Sequence, residues 1–370
     1  MGSLPNLQNI SSNHDEEENC LQAMYLASVT TLPFALKVAI DLDLLEIIAK
    51  ASTPSRMLSP VEIASQLSTN NPDAPSIVDR ILRLLASHSF LTCNVVTGED
   101  GRTQRLYGLA PIGKYFLQNE DGISFAPELA IYLDKHIIEC WKFMKDVTLE
   151  GGFSSVKAFG MHWFELLGKD SELSGTFNTA MSKITHLIMN KILETYKGFE
   201  SISQVVDVGG GWGTNLTLIV SKYPHIKGIN FDQPHVIKDA PICPGVEHVG
   251  GDMFTEVPQA EVIFMKSMLH DWGDDRCLKL LKVCHDALPE CGKVVLVEAV
   301  VPDLPESDAV TKTNLHRDLA LFHILPGGKE RTKQEFETLA RQAGFNSLKL
   351  VCPAYNYWVM ELYKNVNHSA

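Results

Sequence analysis

The sequence predicts an α/β protein in which a mainly helical N-terminal domain precedes a doubly wound, Rossmann-like domain. Three observations support this prediction. Helical apolar patterns dominate the first third of the chain, apolar β-rich segments alternate with helices after residue 200, and the first of these segments ends in a run of glycines. The chain has 370 residues, enough for two domains, which we expect at 20–115 and 116–370.

The composition excludes several classes of protein. Hydrophobic residues make up 45% and charged residues 21%, an ordinary globular balance that argues against a disordered chain. The formal charge of −13 disfavours nucleic-acid binding, because a phosphate backbone attracts a basic surface. No apolar run approaches the ~18 residues of a membrane-spanning helix, and residues 1–20 contain no secretory signal. The eight cysteines lack zinc-site spacing, so we expect reduced thiols in the cytoplasm.

The N-terminal domain is predicted to contain helices followed by a hairpin. The segment Ser59-Pro60-Val61-Glu62 is a capping box with proline at the first helical position, and it opens a helix through Leu67. A second helix is expected from Ser76, and the turn at 98–101 predicts a hairpin. The residues expected to face the core from this second helix are Ile77, Ile81, Leu84 and Leu85.

Two helices and a hairpin form the outline of a winged helix, a motif that can bind DNA. Residues 57–115 contain five basic and five acidic residues, whereas a helix that enters the major groove should be basic. We therefore expect this domain to be a dimerisation scaffold. Two rival functions stay open at this point: a winged-helix regulator that senses a small ligand, and a non-catalytic partner subunit.

The second domain is predicted to be built on a parallel sheet. Its β-rich segments alternate with helices, notably the helix at 274–287, which indicates a doubly wound arrangement. Ligands in such sheets lie beyond the carboxyl ends of the strands. Four of the predicted strands are 205–208, 227–232, 261–266 and 293–298.

The first of these strands leads into Asp207-Val208-Gly209-Gly210-Gly211-Trp212-Gly213. Glycines after a strand allow a tight turn and a close approach of the backbone to a ligand. The dinucleotide pattern G-x-G-x-x-G fails at Thr214, whereas D-x-G-x-G-x-G fits throughout and is the motif of S-adenosylmethionine-dependent methyltransferases. Asp207, Gly209 and Gly211 are therefore candidate cofactor residues.

Acidic side chains follow the next two strands. Asp232 closes the second strand, where a carboxylate can accept hydrogen bonds from both ribose hydroxyls. Asp252 and Met253 end the following strand and offer a carboxylate and a soft thioether to an adenine ring. These positions strengthen the prediction of an adenosyl ligand.

A candidate catalytic group follows the strand that ends at Lys266. His270 lies in the next loop, and Glu298 and Glu330 are expected at comparable positions of the sheet. One imidazole with carboxylates that fix its tautomer is suited to general-base catalysis. The same three residue types also bind metals such as iron, and the residues alone leave that open. Methyl transfer needs no metal, because a sulfonium is already an activated donor.

Together these motifs resemble the plant caffeic acid O-methyltransferase group of small-molecule methyltransferases. The resemblance runs from near Leu21 to Tyr363 and implies a homodimer joined by the N-terminal domain, with S-adenosylmethionine in the α/β domain. It also implies that His270 is the base, flanked by Glu298 and Glu330. Its most specific segments are 206–211, 228–232, 244–254, 270–272 and 327–331. The cofactor contacts that it implies are Gly209, Asp232, Asp252, Met253 and Lys266.

The resemblance also implies a small aromatic acceptor. A phenolic hydroxyl is the expected methyl acceptor, and an aromatic amine is the alternative, because the same scaffold positions either atom. Phe177 and Met181 match apolar pocket residues of the family, whereas Trp163 stands where a small residue is usual. Trp212 in the glycine loop is a second bulky departure from the family.

Several polar pocket positions of the family are apolar in this chain. Caffeic acid enzymes carry His, His and Asn where this chain has Leu167, Ile184 and Leu325, and an Asn is replaced by Tyr132. Each lost donor would leave a buried substrate hydroxyl unpaired, at a cost of about 1–3 kcal/mol. We therefore expect an acceptor flatter or more apolar than caffeic acid, such as a phenylpropanoid, flavonoid, lignan or alkaloid.

Overall fold

The computed structural model describes residues 13–51, 56–98, 101–120, 122–238 and 240–365. The chain divides into two compact units, and the division falls between Leu133 and Asp134. The boundary expected after residue 115 lies earlier in the chain, within the first unit. Among the described residues, no single helix is long and apolar enough to cross a membrane. The helical segments Glu16–Ser28 and Thr31–Asp41 pass that test of length and composition only as a pair, and they are bent by 47°.

The first unit is mainly helical and contains one antiparallel hairpin. Its helices and strands, within the described residues, are α1 (Asn13–Ser28), α2 (Thr31–Asp41), α3 (Leu44–Ala51), α4 (Pro60–Ala64), α5 (Ala74–Ser87), β1 (Leu91–Thr97), β2 (Thr103–Leu109), a 3-10 helix (Ile112–Phe116) and α6 (Ala126–Tyr132). The sequence of helix, helix and hairpin from α4 to β2 is the predicted winged-helix outline.

The predicted capping box at the start of α4 is confirmed. The Glu62 N–H donates to Ser59 Oγ at 3.2 Å, and the Ser59 N–H donates to Glu62 Oε2 at 2.8 Å. The helix ends at Ala64 rather than at Leu67. Beyond Ala64 the chain continues in a tighter turn, in which the N–H of Leu67 donates to the carbonyl of Ala64, three residues back.

The predicted inner face of α5 is confirmed for Leu85, holds in part for Ile81, which packs partly buried against the core, and is wrong for Ile77 and Leu84. Leu85 is buried, but Ile77 is 48% exposed, and Ile81 and Leu84 are only half-buried. The sequence contains two adjacent apolar rows at helical spacing, and the hairpin packs on the second of them. The residues buried along this second row are Ala74, Val78, Leu82 and Leu85.

The second unit contains a sheet flanked by helices. Its helical elements are α7 (Lys135–Trp141), α8 (Met144–Glu150), α9 (Ser154–Phe159), α10 (Trp163–Lys169), α11 (Ser171–Thr195), α12 (Thr214–Lys222), α13 (Pro234–Ile237), a 3-10 turn (Leu269–Asp271), α14 (Asp274–Ala287), α15 (Ala309–Ile324) and α16 (Lys333–Gln342). Its strands are β3 (Gln204–Val208), β4 (Lys227–Asp232), β5 (Val246–Gly250), β6 (Val262–Lys266), β7 (Lys293–Val301), β8 (Arg331–Thr332), β9 (Ser347–Ala354) and β10 (Tyr357–Tyr363).

The strands are ordered β5-β4-β3-β6-β7-β10-β9, and β8 pairs with β7. The five strands from β3 to β7 are parallel, which confirms the predicted doubly wound core. The expectation of a wholly parallel sheet is corrected at β10, which runs antiparallel to both β7 and β9. A tight turn joins β9 to β10, and strands joined in this way can only pair antiparallel.

The order of the strands determines where the sheet can bind a ligand. The chain adds β4 and β5 on one side of β3, and then returns to add β6 and β7 on the other side. A crevice therefore opens at the carboxyl ends of β3 and β6, where the winding reverses. The glycine loop follows β3 and Lys266 ends β6, so two of the predicted features meet at this crevice. One apolar core lies on the α14 and α16 side of the sheet, and the other on the α11 and α12 side.

A buried histidine packs within the helical layer of the second unit. His323 on α15 is 0% exposed, and its ring lies 4.2 Å from the ring of Trp141, measured between centroids. Neither ring nitrogen has a hydrogen-bond partner among the described residues. Burial lowers the pKa of His323 to about 4, so the ring is neutral at physiological pH.

Replacing His323 with phenylalanine should weaken the acid sensitivity of the fold. In the unfolded chain a histidine has a pKa of ~6.5, so the unfolded state binds the proton more tightly and stability falls as pH drops below that value. Between pH 7 and pH 5, His323 should account for a loss of about 2 kcal/mol. Urea unfolding at the two pH values measures this loss, and exposed His316→Gln serves as control. If wild type and His323→Phe lose equal stability between pH 7 and pH 5, His323 is not the source of the acid sensitivity.

Candidate active site

The glycine loop after β3 fits tightly against its surroundings. Gly209 has φ +72°, and a Cβ at this position would lie 2.2 Å from the sulfur of Met268. A Cβ on Gly210 would lie 2.1 Å from Asn230 Oδ1 and 2.5 Å from Asp207 Oδ2. The space at Gly210 therefore excludes a side chain, and the left-handed backbone at Gly209 favours glycine, so the backbone of the loop lies close to the strand ends.

Asp207 supports the loop from the side of the sheet. It is 1% exposed, and its Oδ2 accepts a hydrogen bond of 3.0 Å from Asn215 Nδ2. Its Oδ1 has no partner among the described residues. Burial raises the pKa of Asp207 to about 7, although the bond from Asn215 and the charge of Lys266 oppose this shift.

Asp232 lies directly beside the glycine loop. Its Oδ2 accepts from the N–H of Gly211 at 2.8 Å, and its Oδ1 accepts from the N–H of Gln233 at 2.6 Å. Gly211 has φ +58°, and its carbonyl accepts from Asn230 Nδ2 at 2.8 Å. The end of β4 therefore fixes both the position of the loop and the direction of the Asp232 carboxylate.

Asp252 and Met253 follow β5, next to the end of β4. The Asp252 carboxylate accepts from the N–H of Phe254 at 2.9 Å and from the hydroxyl of Thr255 at 3.0 Å. These bonds lower the pKa of Asp252 below its usual value, so the group is ionised. Met253 packs partly against the core. With Asp232, this edge presents two carboxylates and a thioether, a set that fits the hydroxyls and the base of a nucleoside.

Lys266 ends β6 on the other side of the crevice. Its Nζ lies 5.8 Å from the centroid of the Tyr357 ring. Burial lowers the pKa of Lys266 to about 8, and the charge of Arg317 acts in the same direction. The carboxylates of Glu298, Asp207 and Asp271 oppose that shift.

The catalytic histidine of the prediction lies in a bent turn after β6. Ser267 has φ +54°, and the 3-10 turn Leu269–Asp271 follows it. A non-glycine residue in this region is uncommon and costs of order 1–3 kcal/mol, which neighbouring contacts must offset. His270 is 8% exposed at the centre of this turn.

The imidazole of His270 contacts two carboxylates. Its Nδ1 lies 3.1 Å from Glu330 Oε1, and its Nε2 lies 3.4 Å from Asp271 Oδ1. Glu330 Oε1 also accepts from Arg317 Nε at 2.6 Å, and the N–H of Glu330 donates to Asp318 Oδ1 at 2.8 Å. Burial alone would raise the pKa of Glu330, but the charges of His270 and Arg317 outweigh it and hold the carboxylate ionised.

Glu298 contacts the backbone of the turn. It is 0% exposed on β7, and its Oε1 accepts from the N–H groups of Met268 and Leu269, each at 2.8 Å. The resemblance implied that Glu298 flanks His270, and in the structure it acts on the segment that carries the ring. Glu330 is the carboxylate that bonds the ring itself.

The electrostatic balance around His270 favours a proton on the ring. Burial opposes the charged imidazole, but the negative charges of Glu330 and Asp271 and the bond to Glu330 outweigh it. The pKa of His270 is raised to about 9 as a result. Burial raises the pKa of Asp271 to about 6, and the neighbouring His270 opposes that shift.

The ligating atoms of His270, Glu298 and Glu330 lie within 4.8 Å of one another. This spacing is short enough for a metal ion, which is the alternative that the residues left open. Glu298 Oε1 is occupied by two backbone N–H groups, and Glu330 Oε1 is occupied by the guanidinium of Arg317. A cation would have to compete with those donors, so the contacts favour an organised base.

Arg331 is a supporting residue that the sequence did not single out. It is 0% exposed, its Nη1 donates to the carbonyl of Leu269 at 2.6 Å, and its Nη2 donates to that of Trp272 at 2.7 Å. Its Nε and Nη2 also bond Asp274 Oδ1, at 3.0 and 2.8 Å. The guanidinium thus holds both ends of the turn that carries His270. Its position in the predicted 327–331 segment was the only signal in the sequence.

The predicted acceptor residues lie on α10 and α11. Trp163 is 1% exposed and contacts Phe177 edge-to-face, with ring centroids 6.5 Å apart. Met181 lies one helical turn after Phe177 and is 39% exposed. Leu325 lies near the catalytic turn, because a Cβ on Gly328 would be 2.9 Å from Leu325 Cβ and 3.2 Å from the His270 carbonyl.

Comparisons with known proteins agree with these motifs. Residues 24–119 match a model for the O-methyltransferase dimerisation domain, and residues 141–346 match one for the O-methyltransferase domain. The chain is 54% identical to the caffeic acid 3-O-methyltransferase of Catharanthus roseus, over 98% of this chain and 100% of that relative. It is 52% identical to the caffeic acid 3-O-methyltransferase of Medicago sativa, over 99% and 100%.

Solved structures share the fold. Human N-acetylserotonin methyltransferase in complex with S-adenosylmethionine matches with a TM-score of 0.78 at 19% identity, covering 96% of this chain and 100% of that chain. CalO1, a methyltransferase in calicheamicin biosynthesis with S-adenosylhomocysteine bound, matches with a TM-score of 0.79 at 21% identity and the same coverage. At these identities the likeness shows the fold alone, and it confirms the predicted α/β class.

Replacing Arg331 with lysine should slow turnover without weakening ligand binding. Lysine cannot reproduce the forked contacts to Leu269, Trp272 and Asp274, so the turn that carries His270 loses its fixed geometry. We expect kcat to fall about tenfold or more, while the affinity for S-adenosylhomocysteine, measured by calorimetry, changes less than about threefold. The exposed residue Arg341, changed to lysine, is the matched control. Wild-type kcat in Arg331→Lys would rule out this role.

Proposed function

The chain belongs to the O-methyltransferase family, and we propose that His270 is its general base in the methylation of a phenolic hydroxyl. It is an S-adenosylmethionine-dependent O-methyltransferase related over its full length to the caffeic acid enzymes. The observation that carries the proposal is the bond from His270 Nδ1 to Glu330, which leaves Nε2 as the nitrogen that can take a proton from an acceptor. The same relatives favour oxygen over an aromatic amine as the acceptor atom.

The residues at the strand ends are proposed to hold S-adenosylmethionine. This group supplies an electrophilic methyl on a sulfonium. Asp232 accepts hydrogen bonds from the ribose hydroxyls, and Asp252 and Met253 contact the adenine. The glycine loop at Gly209 and Gly211, which Asp207 supports, also contributes to binding of the cofactor. Lys266 contributes from the other side of the crevice. The tight fit of Gly209 and Gly210 against their neighbours supports this assignment, since it lets the backbone approach a ligand.

General-base catalysis fits the chemistry of the acceptor. A phenol with a pKa of ~10 is protonated at neutral pH, and its oxygen becomes a good nucleophile only as the proton leaves. In this proposal Glu330 fixes the tautomer and direction of the ring, and Glu298 and Arg331 position the turn that carries it. A base of this kind contributes about 10²–10⁴ in rate, and the alignment of donor and acceptor supplies the rest.

We also propose that the chain forms a homodimer through its first unit and works in the cytoplasm. The match to a dimerisation domain supports the first statement. The helices α1 and α2 also expose large apolar side chains, which a partner can cover. These residues are Leu21, Met24, Leu26 and Phe34. The second statement is supported by the eight cysteines, all of which are free thiols.

The acceptor is proposed to be less polar than caffeic acid, the substrate in the names of the two relatives. Leu167 and Leu325 are buried and offer no hydrogen-bond partner to a hydroxyl of the acceptor ring. Ile184, Tyr132 and Trp163 are further departures from the polar or small residues of caffeic acid enzymes. Phe177 and Met181, one helical turn apart on α11, offer an apolar surface for an aromatic ring, and the buried Trp163 packs edge-to-face behind Phe177. A flatter phenylpropanoid, flavonoid, lignan or alkaloid fits such a surface.

Replacing His270 with alanine should abolish most turnover and leave ligand binding intact. The variant lacks the proton acceptor, so kcat should fall about 10²–10⁴-fold. The affinity for S-adenosylhomocysteine should stay nearly unchanged, since the strand-end carboxylates and the glycine loop are untouched. Single-turnover methyl transfer and calorimetry measure the two quantities. Near-normal turnover would show that another group, or none, takes the proton.

Restoring one polar group should move the acceptor preference toward caffeic acid. Wild type should have a higher kcat/KM for less polar phenols than for caffeic acid, and Leu325→Asn should raise kcat/KM for caffeic acid about tenfold by offering a hydroxyl a partner. Leu319→Asn, at a site that is 46% exposed on α15, the helix that precedes Leu325, is the control and should change neither value. If wild type prefers caffeic acid tenfold or more, this proposal for the pocket is refuted.

A further inference from the structure

Three carboxylates surround the imidazole of His270. Glu330 Oε1 lies 3.1 Å from Nδ1, and Asp271 Oδ1 lies 3.4 Å from Nε2. Glu298 approaches within 4.8 Å from β7. These acids come from three elements: the loop before β8, the 3-10 turn itself, and β7.

Cations balance only part of this negative charge, and Arg331 from β8, which also contacts the turn, is paired with Asp274. Arg317 from α15 bonds Glu330, and Lys266 from β6 faces Asp207, Glu298 and Asp271. Asp318, also on α15, accepts the N–H of Glu330 and adds a further carboxyl at the edge of the cluster. The carboxylates around His270 therefore favour one additional positive charge. In the protein without bound ligand, a proton on the imidazole of His270 supplies this charge.

We propose that the protonated imidazole of His270 and the sulfonium of S-adenosylmethionine exclude each other, so that binding of the methyl donor expels the proton. The neutral product, S-adenosylhomocysteine, binds without expelling it. This inference rests on the proposed role of His270, because that role requires donor, acceptor and imidazole to meet in one place. It adds that the donor itself prepares the base.

The size of the effect follows from the geometry of any such transfer. The acceptor oxygen must lie about 3 Å from both the methyl carbon and the base. With the methyl carbon in line between oxygen and sulfur, and a bent angle at the oxygen, the sulfonium and the imidazole are then roughly 6–7 Å apart. Two positive charges at that separation, at an effective dielectric constant of about 20, disfavour each other roughly 50- to 100-fold. A proton that the cluster holds at neutral pH is thus largely released when the second charge arrives.

The charge of the cluster stays constant through the reaction. The acceptor oxygen forms its bond to the methyl carbon while the carbon–sulfur bond breaks and leaves its electron pair on sulfur. The phenolic proton passes to Nε2 of His270. One positive charge disappears from sulfur as another appears on the imidazole, so the carboxylates that hold the proton in the protein alone also stabilise the state after transfer. The next donor molecule then displaces this proton to solvent.

Calorimetry with the two ligands tests the inference directly. Titrations at pH 8 in phosphate and in Tris, whose ionisation enthalpies differ, give the number of protons released on binding. We expect S-adenosylmethionine to release between about one half and one proton, and S-adenosylhomocysteine less than about 0.2. Between pH 7 and pH 9 the affinity for the methyl donor should rise about tenfold or more, whereas that for the product should change less than about twofold.

Variants identify the group that loses the proton. In His270→Ala the release on donor binding should disappear, and the affinity for the donor at pH 7 should rise toward its value at pH 9. Asp271→Asn removes the carboxylate opposite Nε2, so it should reduce the release and strengthen donor binding at pH 7. Neither change should alter the affinity for the product more than about threefold. His225→Gln, at an exposed site, is the control and should release the same number of protons as wild type.

The outcomes separate this inference from the proposed function. Equal proton release by the two ligands, or release that persists in His270→Ala, overturns the inference even if methyl transfer by the wild type is normal. Absence of heat with both ligands contradicts the proposed binding site instead. If His270→Ala fails to fold, the comparison of the two ligands on wild type and on Asp271→Asn still decides the question.

Discussion

The bond between His270 Nδ1 and Glu330 is the interaction on which the active site depends. With Nδ1 occupied, only Nε2 can face a reacting group, so this one contact sets the tautomer and the direction of the base. Arg317 keeps Glu330 ionised from α15, while Glu298 and Arg331 grip the backbone of the turn from β7 and β8. Residues of α15, β7 and β8 thus fix the position of one ring, and the sheet helps to bring β7 and β8 to it because parallel strands end at the same edge.

This concentration of buried charge is costly to the fold. Carboxylates that leave water lose their hydration energy. Their ion pairs with neighbouring cations recover only part of that loss. Glu298 illustrates the cost: it is fully buried, and its Oε2 has no partner among the described residues. A hydrophobic cluster at the same position would be easier to fold, so we interpret the charges as a requirement of the chemistry.

The sequence was sufficient where local patterns decide the structure. The helix Asp274–Ala287, the strand Lys227–Asp232 and the capping box at Ser59 all follow from spacing and residue type. Prediction from the sequence failed where two local patterns are equally apolar and only tertiary packing decides which one is buried, as for the two apolar rows of α5. It also could not assign contacts between side chains distant in sequence. The bond of Glu298 to the backbone and the grip of Arg331 on both ends of the catalytic turn depend on how strands align, which no local pattern encodes.

The position of the antiparallel strand β10 affects how the protein folds during synthesis. It lies between β7 and β9 in the sheet, yet it follows both of them in the sequence. While the chain leaves the ribosome, the edge of β7 therefore stays open until residues 357–363 emerge, although β7 already carries Glu298. An open edge of an apolar strand invites pairing with other chains. Chains that stop before Tyr357 would thus expose the central strand of the active site as an aggregation edge.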